Sequence, residues 1–221
     1  MVAQRRIDDL DRPRETPAGQ RYGGDAYVLL YRLPREVVVT GGFVPRELEA
    51  SYRGGTGAVL LVDAVTSDAG PCQELLFIPG RFQHEDRGYY SVTRGFVSTA
   101  AGQASGCFRL GQPLEIAEFQ REQRGNVERV RVEAEGRTVA DLAFVAGRFG
   151  LPMTTDFVPA AARTLLQAVN GREVFSTASG SATFRHARCV AATFDGVLFP
   201  DLAPFEPRMT LAVKGFDVVF S

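Results

Sequence analysis

Short runs of β-branched and aromatic residues, separated by Gly, Pro, Asp or Asn, follow one another along most of the chain. The run VERVRVEA (127–134) alternates valine with charged residues, as in a strand with one solvated face. GAVLLVDAV (57–65) is apolar at consecutive positions, which predicts a strand buried on both faces. AEGRT (134–138) is typical of a hairpin turn. About nine such runs, EVVVT (36–40) among them, predict a mainly antiparallel β domain.

Only one segment, VPAAARTLLQAVNG (158–171), has the features of a helix. Pro159 suits a first helical turn, Ala and Leu fill the body, and Asn170-Gly171 supplies a stop signal. Residues 1–20 are polar and contain two prolines, so they predict a flexible N-terminal arm. We find no repeat and no long linker, so one domain is expected over residues 21–221.

Composition and charge limit which binding partners and which cellular compartment are expected. The formal net charge of −1 argues against nucleic acid, whose binding proteins usually carry a basic surplus. No apolar stretch of the roughly 20 residues that span a bilayer is present, and the N-terminus has no signal-peptide-like apolar run. Three widely spaced cysteines without a CxxC pair indicate reduced thiols. We therefore expect a soluble cytoplasmic protein that does not bind membranes.

Reactive groups are scarce. Lys214 is the only lysine, and arginine cannot lose its proton at usable pH, so almost no amine is available for covalent chemistry. The two histidines, His84 and His186, lie in no recognisable motif, and no acidic cluster has metal-ligand spacing. Neither a metal nor a cofactor is expected.

Three motifs in fixed order carry a resemblance to a known family. GPCQELLFIPGRF (70–82), YSVTRGFVS (90–98) and GCFRLGQPLEIAEF (106–119), preceded by AYVLLYR and FVPREL, resemble the core of the acetoacetate decarboxylase-like superfamily. The resemblance covers roughly residues 22–120 well, and the rest only by its strand-rich layout. It implies a mainly β (α+β) fold, namely a closed antiparallel β-barrel or cone with few flanking helices. It also implies an active site inside the cone and assembly into homo-oligomers.

The resemblance also assigns a position to the family's nucleophile. In the true decarboxylases, a lysine after the Gly-X-Pro turn forms a Schiff base with a β-keto acid. That position is Leu114 here, and the neighbouring activating lysine is Glu115. An anion raises the pKa of a nearby amine, which is the wrong direction for a nucleophile. Decarboxylation through a Schiff base is therefore not expected.

The resemblance places the family's other site residues less completely. Its substrate-binding arginine falls near Gly24, with Arg21 close by, and one of its two carboxylates falls on Val59. The other carboxylate is retained as Glu74. Part of the anion-binding machinery is thus missing together with the nucleophile.

Glu74 is the candidate catalytic residue. It alternates in phase with Leu76 and Ile78, so it should point to the same apolar side of its strand. Burial would raise the pKa of its carboxyl group and allow acid–base work. The alternative is a glutamate that pairs with an arginine at the mouth of the cone.

Other side chains carry weaker hypotheses. Arg94 and Arg109 are candidates to hold a ligand carboxylate, although surface arginines are commoner. Cys72 and Cys107 are best interpreted as buried small residues rather than nucleophiles, and Lys214 as a solvent-facing strand residue. The predicted binding set consists of Leu114, Leu76, Glu115, Arg94 and Arg109.

Three functions stay open from the sequence. The first is a protein that binds a small apolar or keto-acid-like molecule in the barrel cavity without Schiff-base chemistry. The second is a lyase or hydratase that uses Glu74 with an arginine clamp. The third is a structural, oligomer-forming module, so the sequence does not decide whether the protein is an enzyme.

Overall fold

A computed structural model describes residues 19–169 and 171–221 of the chain. Within them lie fourteen strands, three α-helices and two short 3-10 helices. The strands are β1 Gln20–Tyr31, β2 Tyr52–Gly54, β3 Gly57–Ser67, β4 Cys72–Ile78, β5 Arg81–His84, β6 Arg87–Tyr90, β7 Arg94–Val97, β8 Leu114–Ile116, β9 Glu118–Arg124, β10 Val127–Ala134, β11 Arg137–Thr154, β12 Thr164–Val169, β13 Arg172–Phe194 and β14 Met209–Phe220. The α-helices are α1 Arg35–Gly41, α2 Arg46–Glu49 and α3 Ala100–Arg109, and the 3-10 helices are Thr155–Phe157 and Ala160–Ala162.

All fourteen strands belong to one sheet, which is mainly antiparallel. Its main path runs β2-β5-β6-β12-β13-β14-β1-β3-β4-β7-β8, and β11, β10 and β9 branch from β13. In the described residues, the end strands β2 and β8 do not pair with each other. The sheet is therefore not closed and the prediction of a closed barrel is not supported, because closure requires hydrogen bonds that join the free edges of the sheet.

The long strand β13 holds the branched sheet together. Its first part pairs with β12, from Arg172 to Thr177, and its middle pairs with β14. Its last part pairs with β11 as far as Phe194. One continuous strand thus joins the region around the cavity described below to the β9–β11 branch.

The predicted strand patterns 57–65 and 127–134 were confirmed. In β10, Val130 and Val132 are fully buried, whereas the alternate positions are not. In the turn that follows, Glu135 and Gly136 have φ angles of 52° and 71°. Two successive positive φ angles are the geometry of a tight two-residue hairpin turn, in which glycine is favoured.

The central strands bury both faces, but against different surroundings. On β3, Val59 and Leu61 point into the larger hydrophobic core, and we call this side the core face. Leu60 and Val62 point to the opposite side, where they line a cavity, and we call this side the cavity face. Successive apolar residues of GAVLLVDAV thus lie alternately on the core face and on the cavity face.

The prediction of a strand at EVVVT was wrong, since these residues lie in α1. Val38 is fully buried while its neighbour Val39 is exposed, so only one side of the segment meets the core. So short a run of β-branched residues is compatible with either a strand or a helix. The packing of Val38 against the core determines that the segment is helical.

The prediction of a helix over 158–171 was also wrong. Residues 160–162 form a 3-10 turn, and β12 begins at Thr164 and pairs with β13 up to Val169 and Arg172. The Asn-Gly pair that was interpreted as a helix stop is also the strongest short signal for a hairpin. Helical propensity of Ala and Leu was overridden by strand pairing.

Helix α3 was not predicted. Its N-cap is Thr99, whose hydroxyl accepts a hydrogen bond from the backbone N–H of Gly102 at 3.1 Å. Gly102 and Gly106 let the helix pack closely, because added Cβ atoms would overlap Val97 and Leu114 respectively. Sequence reasoning missed the helix because two glycines lower helix propensity.

The predicted N-terminal arm falls mostly on residues 1–18, which lie outside the described residues. Gln20 already belongs to β1 and pairs with Phe220 on β14.

Candidate functional site

A cavity of about 410 Å³ lies against the cavity face of the sheet. This volume falls in the range of small-molecule sites, roughly 300–1,000 Å³. Most of its wall is aliphatic or aromatic. The wall supplied by the sheet includes Val28, Leu60, Val62, Leu76, Val213 and Phe216.

The chain between β11 and β12 also contributes to the cavity wall. Thr155 Oγ1 accepts a hydrogen bond from the N–H of Gly180 at 3.0 Å. Arg163 Nη1 donates to the carbonyl of Ala178 at 2.6 Å. Both ends of this segment are thus tied to β13, and Val158 between them lines the cavity.

Glu74 lies on the cavity face, in phase with Leu76 and Ile78 as the alternation of β4 requires. The residue is 5% exposed, and its Oε1 atom has no hydrogen-bond partner among the described residues. Burial raises the pKa of the Glu74 carboxyl group to about 7. At neutral pH, the protonated and ionised forms are therefore similar in population.

Two titratable neighbours of Glu74, the hydroxyl of Tyr22 and the thiol of Cys72, are neutral at ordinary pH. Burial, followed by the charge of Glu74, raises the pKa of the Tyr22 hydroxyl and of the Cys72 thiol above their ordinary values. A thiol with a raised pKa is a poor nucleophile. This environment supports the interpretation of Cys72 as a buried structural residue.

Gln112 contributes a second polar group to the cavity wall. It follows α3 directly, and its backbone N–H donates to the carbonyl of Gly106 at 3.0 Å. The residue is buried, and its Oε1 atom has no hydrogen-bond partner among the described residues.

Leu114 fills a narrow space beside the cavity. Its side chain packs directly on the backbones of Gly95 and Gly106, where added Cβ atoms would overlap its methyl groups. It is buried in the same hydrophobic cluster as Leu76, but it is not one of the residues that line the cavity.

Arg94 and Glu115 form an ion pair away from the cavity. Arg94 Nη2 donates to Glu115 Oε2 at 2.9 Å, a second bond joins Nη1 to Oε1, and Nε donates to the carbonyl of Leu198 at 2.6 Å. The guanidinium carbon lies 4.6 Å from the ring centroid of Phe96. Neither charged residue lines the cavity, although Tyr90 and Val92, which alternate with Arg94 in the sequence, do.

Arg109 is the last residue of α3 and is exposed. It does not line the cavity. A cation at this position complements the partial negative charge of a helix C-terminus. Of the six predicted site residues, the structure thus places Glu74 and Leu76 on the cavity wall, and Leu114, Arg94, Arg109 and Glu115 away from it.

Comparison with solved structures bears on the fold. No protein-family model and no curated protein matches the sequence. Acetoacetate decarboxylase from Legionella pneumophila is 11% identical, with 99% of this chain and 95% of that chain covered and a TM-score of 0.64. An acetoacetate decarboxylase-like enzyme from Sphingomonas wittichii RW1 is 12% identical, with 91% of each chain covered and a TM-score of 0.59.

The enduracididine biosynthesis enzyme MppR, solved in complex with pyruvate, is similar as well. It is 15% identical, with 95% of this chain and 90% of that chain covered and a TM-score of 0.58. The chain has the acetoacetate decarboxylase-like fold. The prediction from the motifs between residues 70 and 119 is confirmed at the level of the fold.

Within this acetoacetate decarboxylase-like fold, the single lysine lies outside the cavity. Lys214 Nζ donates to Asp25 Oδ2 at 2.8 Å and lies 5.7 Å from the ring centroid of Tyr27. Its neighbour Val213 lines the cavity, and alternation along β14 turns Lys214 to the other side.

The remaining candidates also lie off the cavity wall. His84 Nδ1 is 3.1 Å from Glu173 Oε1, and His186 is exposed. Among residues 19–169 and 171–221, no group of three or more His, Cys, Asp or Glu side chains has metal-binding geometry. None of the helices in that part of the chain is long and apolar enough to cross a membrane.

Sequence reasoning missed most polar residues of the wall, among them Tyr22, Gln112 and Arg163. Gln112 lies inside the motif GCFRLGQPLEIAEF (106–119), in which the predicted site residues are Leu114 and Glu115. Tyr22 precedes the apolar run that marked the strand, and no local pattern distinguishes Arg163 from the other arginines.

Proposed function

We propose that the protein binds a small, largely apolar organic molecule in this cavity and does not decarboxylate keto acids through a Schiff base. The observation that carries the proposal is an apolar cavity that contains a buried carboxyl group but no lysine. The one lysine of the sequence is paired with Asp25 on the opposite side of β14.

The chemistry of the wall supports a ligand that is mostly hydrocarbon. Aliphatic side chains such as Leu60, Val62 and Val213 favour apolar groups, since removing apolar surface from water contributes about 25 cal/mol per Å². Small-molecule complexes of MppR with pyruvate and with HEPES support the use of this fold for small ligands. A purely structural module has no use for an empty apolar cavity, because such a cavity lowers stability.

Two measurements test the proposal together. A fluorescent apolar probe should bind with one molecule per chain, and borohydride treatment with acetoacetate or pyruvate should leave the mass of the protein unchanged. A covalent adduct at Lys214 would contradict the second part. Absence of any probe binding would contradict the first.

A second candidate function is acid–base catalysis by Glu74, as in a lyase or hydratase. The observation that favours it is the pKa of about 7, which suits proton transfer at neutral pH. Arg94 and Arg109 do not line the cavity, so an arginine clamp for a carboxylate would have to come from Arg163. Deuterium exchange next to the carbonyl of a bound ketone, lost in Glu74→Gln, would support this function.

Assembly into a homo-oligomer, a cytoplasmic location and the absence of nucleic-acid binding stay predictions. Light scattering during gel filtration tests the first of them, with a mass of several chains as the expected result.

A further inference from the structure

Glu74 is a buried acid without a counter-ion. It takes part in none of the ion pairs formed by the described residues. Its Oε1 atom also has no hydrogen-bond donor there. An ionised carboxylate in such a place is costly unless a cation or donors reach it.

Gln112 presents a second acceptor without a donor in the same cavity. Helix α3 packs near both Glu74 and Gln112. Gly102 packs on Cys72, two residues before Glu74, and Gly106 packs near Gln112 Oε1. These glycines are four residues apart, a rise of about 6 Å along a helix. Both unpaired acceptors therefore lie on the part of the cavity wall that adjoins α3.

A ligand that completes this region must bring hydrogen-bond donors. A carboxylate brings none, an alcohol brings one, and an ammonium group brings three donors together with a positive charge. The cavity wall also includes the aromatic side chains of Tyr22, Phe216 and Phe220, and the face of an aromatic ring can attract a cation.

We propose that the cavity takes a protonated amine with an apolar body, whose ammonium group lies at Glu74 and within reach of Gln112. This inference rests on the proposed function, because it names the class of ligand for the same cavity. The ligand supplies a cation that none of the described residues places beside Glu74.

Arg163 is the other charged residue on the cavity wall. Its Nη1 group is bound to Ala178 and Ser179 on β13. In the order of the sheet, β13 and β4 are separated by β14, β1 and β3, a path of about 19 Å at 4.8 Å per strand. Arg163 is thus an alternative anchor for an acid, and a test must separate the two.

The proposal predicts a dependence on pH. The elements packed around Glu74 bring Tyr22 from β1, the thiol of Cys72 from β4 itself, and the backbone partners Val62 and Val97 from β3 and β7. The first two are neutral below pH 8, and the valines do not titrate. The charges of Arg109 and Asp68 act on Tyr22, and the charge of Asp63 acts on Cys72. Glu74 is therefore the group that changes charge near pH 7.

The experiment compares three matched molecules in displacement of a fluorescent apolar probe: 4-phenylbutylamine, 4-phenylbutanol and 4-phenylbutanoate. At about pH 8 we expect the amine to bind at least about tenfold more tightly than the alcohol, as a charge-assisted bond allows. The ratio should fall by up to about tenfold per pH unit below 7, because Glu74 must then lose a proton to pair with the amine.

Glu74→Gln should remove the preference for the amine and change alcohol binding by less than about threefold. Glu115→Gln is the matched control, since it removes a carboxylate outside the cavity, and it should keep the preference. If Glu74→Gln does not fold, the pH series on the unmodified protein decides the same question.

The outcomes separate this inference from the proposed function. Equal binding of amine and alcohol, or a preference that persists unchanged at pH 5.5 or in Glu74→Gln, overturns the amine proposal and leaves a ligand cavity. Tightest binding of the carboxylate overturns it as well and points to Arg163. Failure of all three molecules to bind counts against the ligand cavity itself.

Discussion

The core face and the cavity face of the sheet are built by the same strands and differ in what fills them. On the core face, large rings meet closely: Tyr27 and Phe144 stack with centroids 4.1 Å apart, and Phe194 and Phe199 stack at 5.5 Å. On the cavity face, the wall combines aliphatic side chains such as Val28 and Val62 with the ring of Phe216, and these side chains enclose a cavity of about 410 Å³. The two faces therefore differ in how closely their side chains meet.

The difference extends to charge. Glu115 on β8 points outward and is paired with Arg94, whereas Glu74 on β4 points inward and is paired with no cation of the described residues. The two glutamates thus have different electrostatic environments. The direction in which each side chain points determines this difference.

The largest expected effect comes from removing the same side chain on each face. Leu75 and Leu76 are consecutive on β4, but Leu75 is fully buried in the core and Leu76 borders the cavity. Leu75→Ala should lower the free energy of unfolding by about 3–5 kcal/mol, and Leu76→Ala by at least about 1 kcal/mol less, because its contacts are fewer on the side of the cavity. Urea unfolding measures both, and equal losses would contradict the distinction between the faces.

Leu114→Lys tests the tight packing beside the cavity. A buried amine should lower the free energy of unfolding by about 2–4 kcal/mol, and the variant should not decarboxylate acetoacetate. Glu115 faces outward and pairs with Arg94, so its charge does not explain the expected lack of decarboxylation. The expected lack of decarboxylation follows from the close contact of Leu114 with Gly95 and Gly106. Leu114→Met is the control and should cost less than about 1.5 kcal/mol; release of CO₂ by the lysine variant would refute the argument.

The buried acid makes the cavity face sensitive to pH. The folded pKa of Glu74, about 7, lies above its ordinary value of 4.5, so its contribution to stability is fully present below pH 4.5 and is lost as pH rises through 7. We expect a loss on the order of 2–3 kcal/mol between these limits. Glu74→Gln should flatten this part of the urea-unfolding profile measured against pH.

Four other carboxyl groups contribute to stability outside that window. Hydrogen bonds and nearby cations hold the pKa values of Asp25, Asp141, Asp195 and Asp217 below their ordinary range. Their stabilising effect is therefore lost at lower pH, as they become protonated. An unchanged slope between pH 5 and 7 in the Glu74→Gln variant would contradict the assignment.

The smallest expected change in stability comes from filling the cavity. Val62→Phe on the cavity face should change the free energy of unfolding by less than about 1 kcal/mol and weaken probe binding by about tenfold or more. The same substitution at Val59, which is fully buried on the core face of the same strand, should cost about 1–3 kcal/mol through overpacking. Undiminished probe binding in Val62→Phe would show that the probe occupies another place.

The sequence by itself determined the strand-rich character, the inward direction of Glu74 and the lack of an amine for Schiff-base chemistry. These follow from alternation along β4 and from the presence of one lysine, which are local or compositional facts. Ordered motifs between residues 70 and 119 also indicated the fold.

Only the tertiary structure decided which other residues meet at the cavity. Val38 lies in a helix and Leu166 in a strand against their local signals, because packing and strand pairing outweigh small differences in propensity. Arg94 turns outward and Arg163 reaches the cavity wall for the same kind of reason: the direction of a side chain beyond a break in a strand depends on how the chain continues in space. The open sheet and the empty volume depend on contacts between residues far apart in sequence, which no short pattern records.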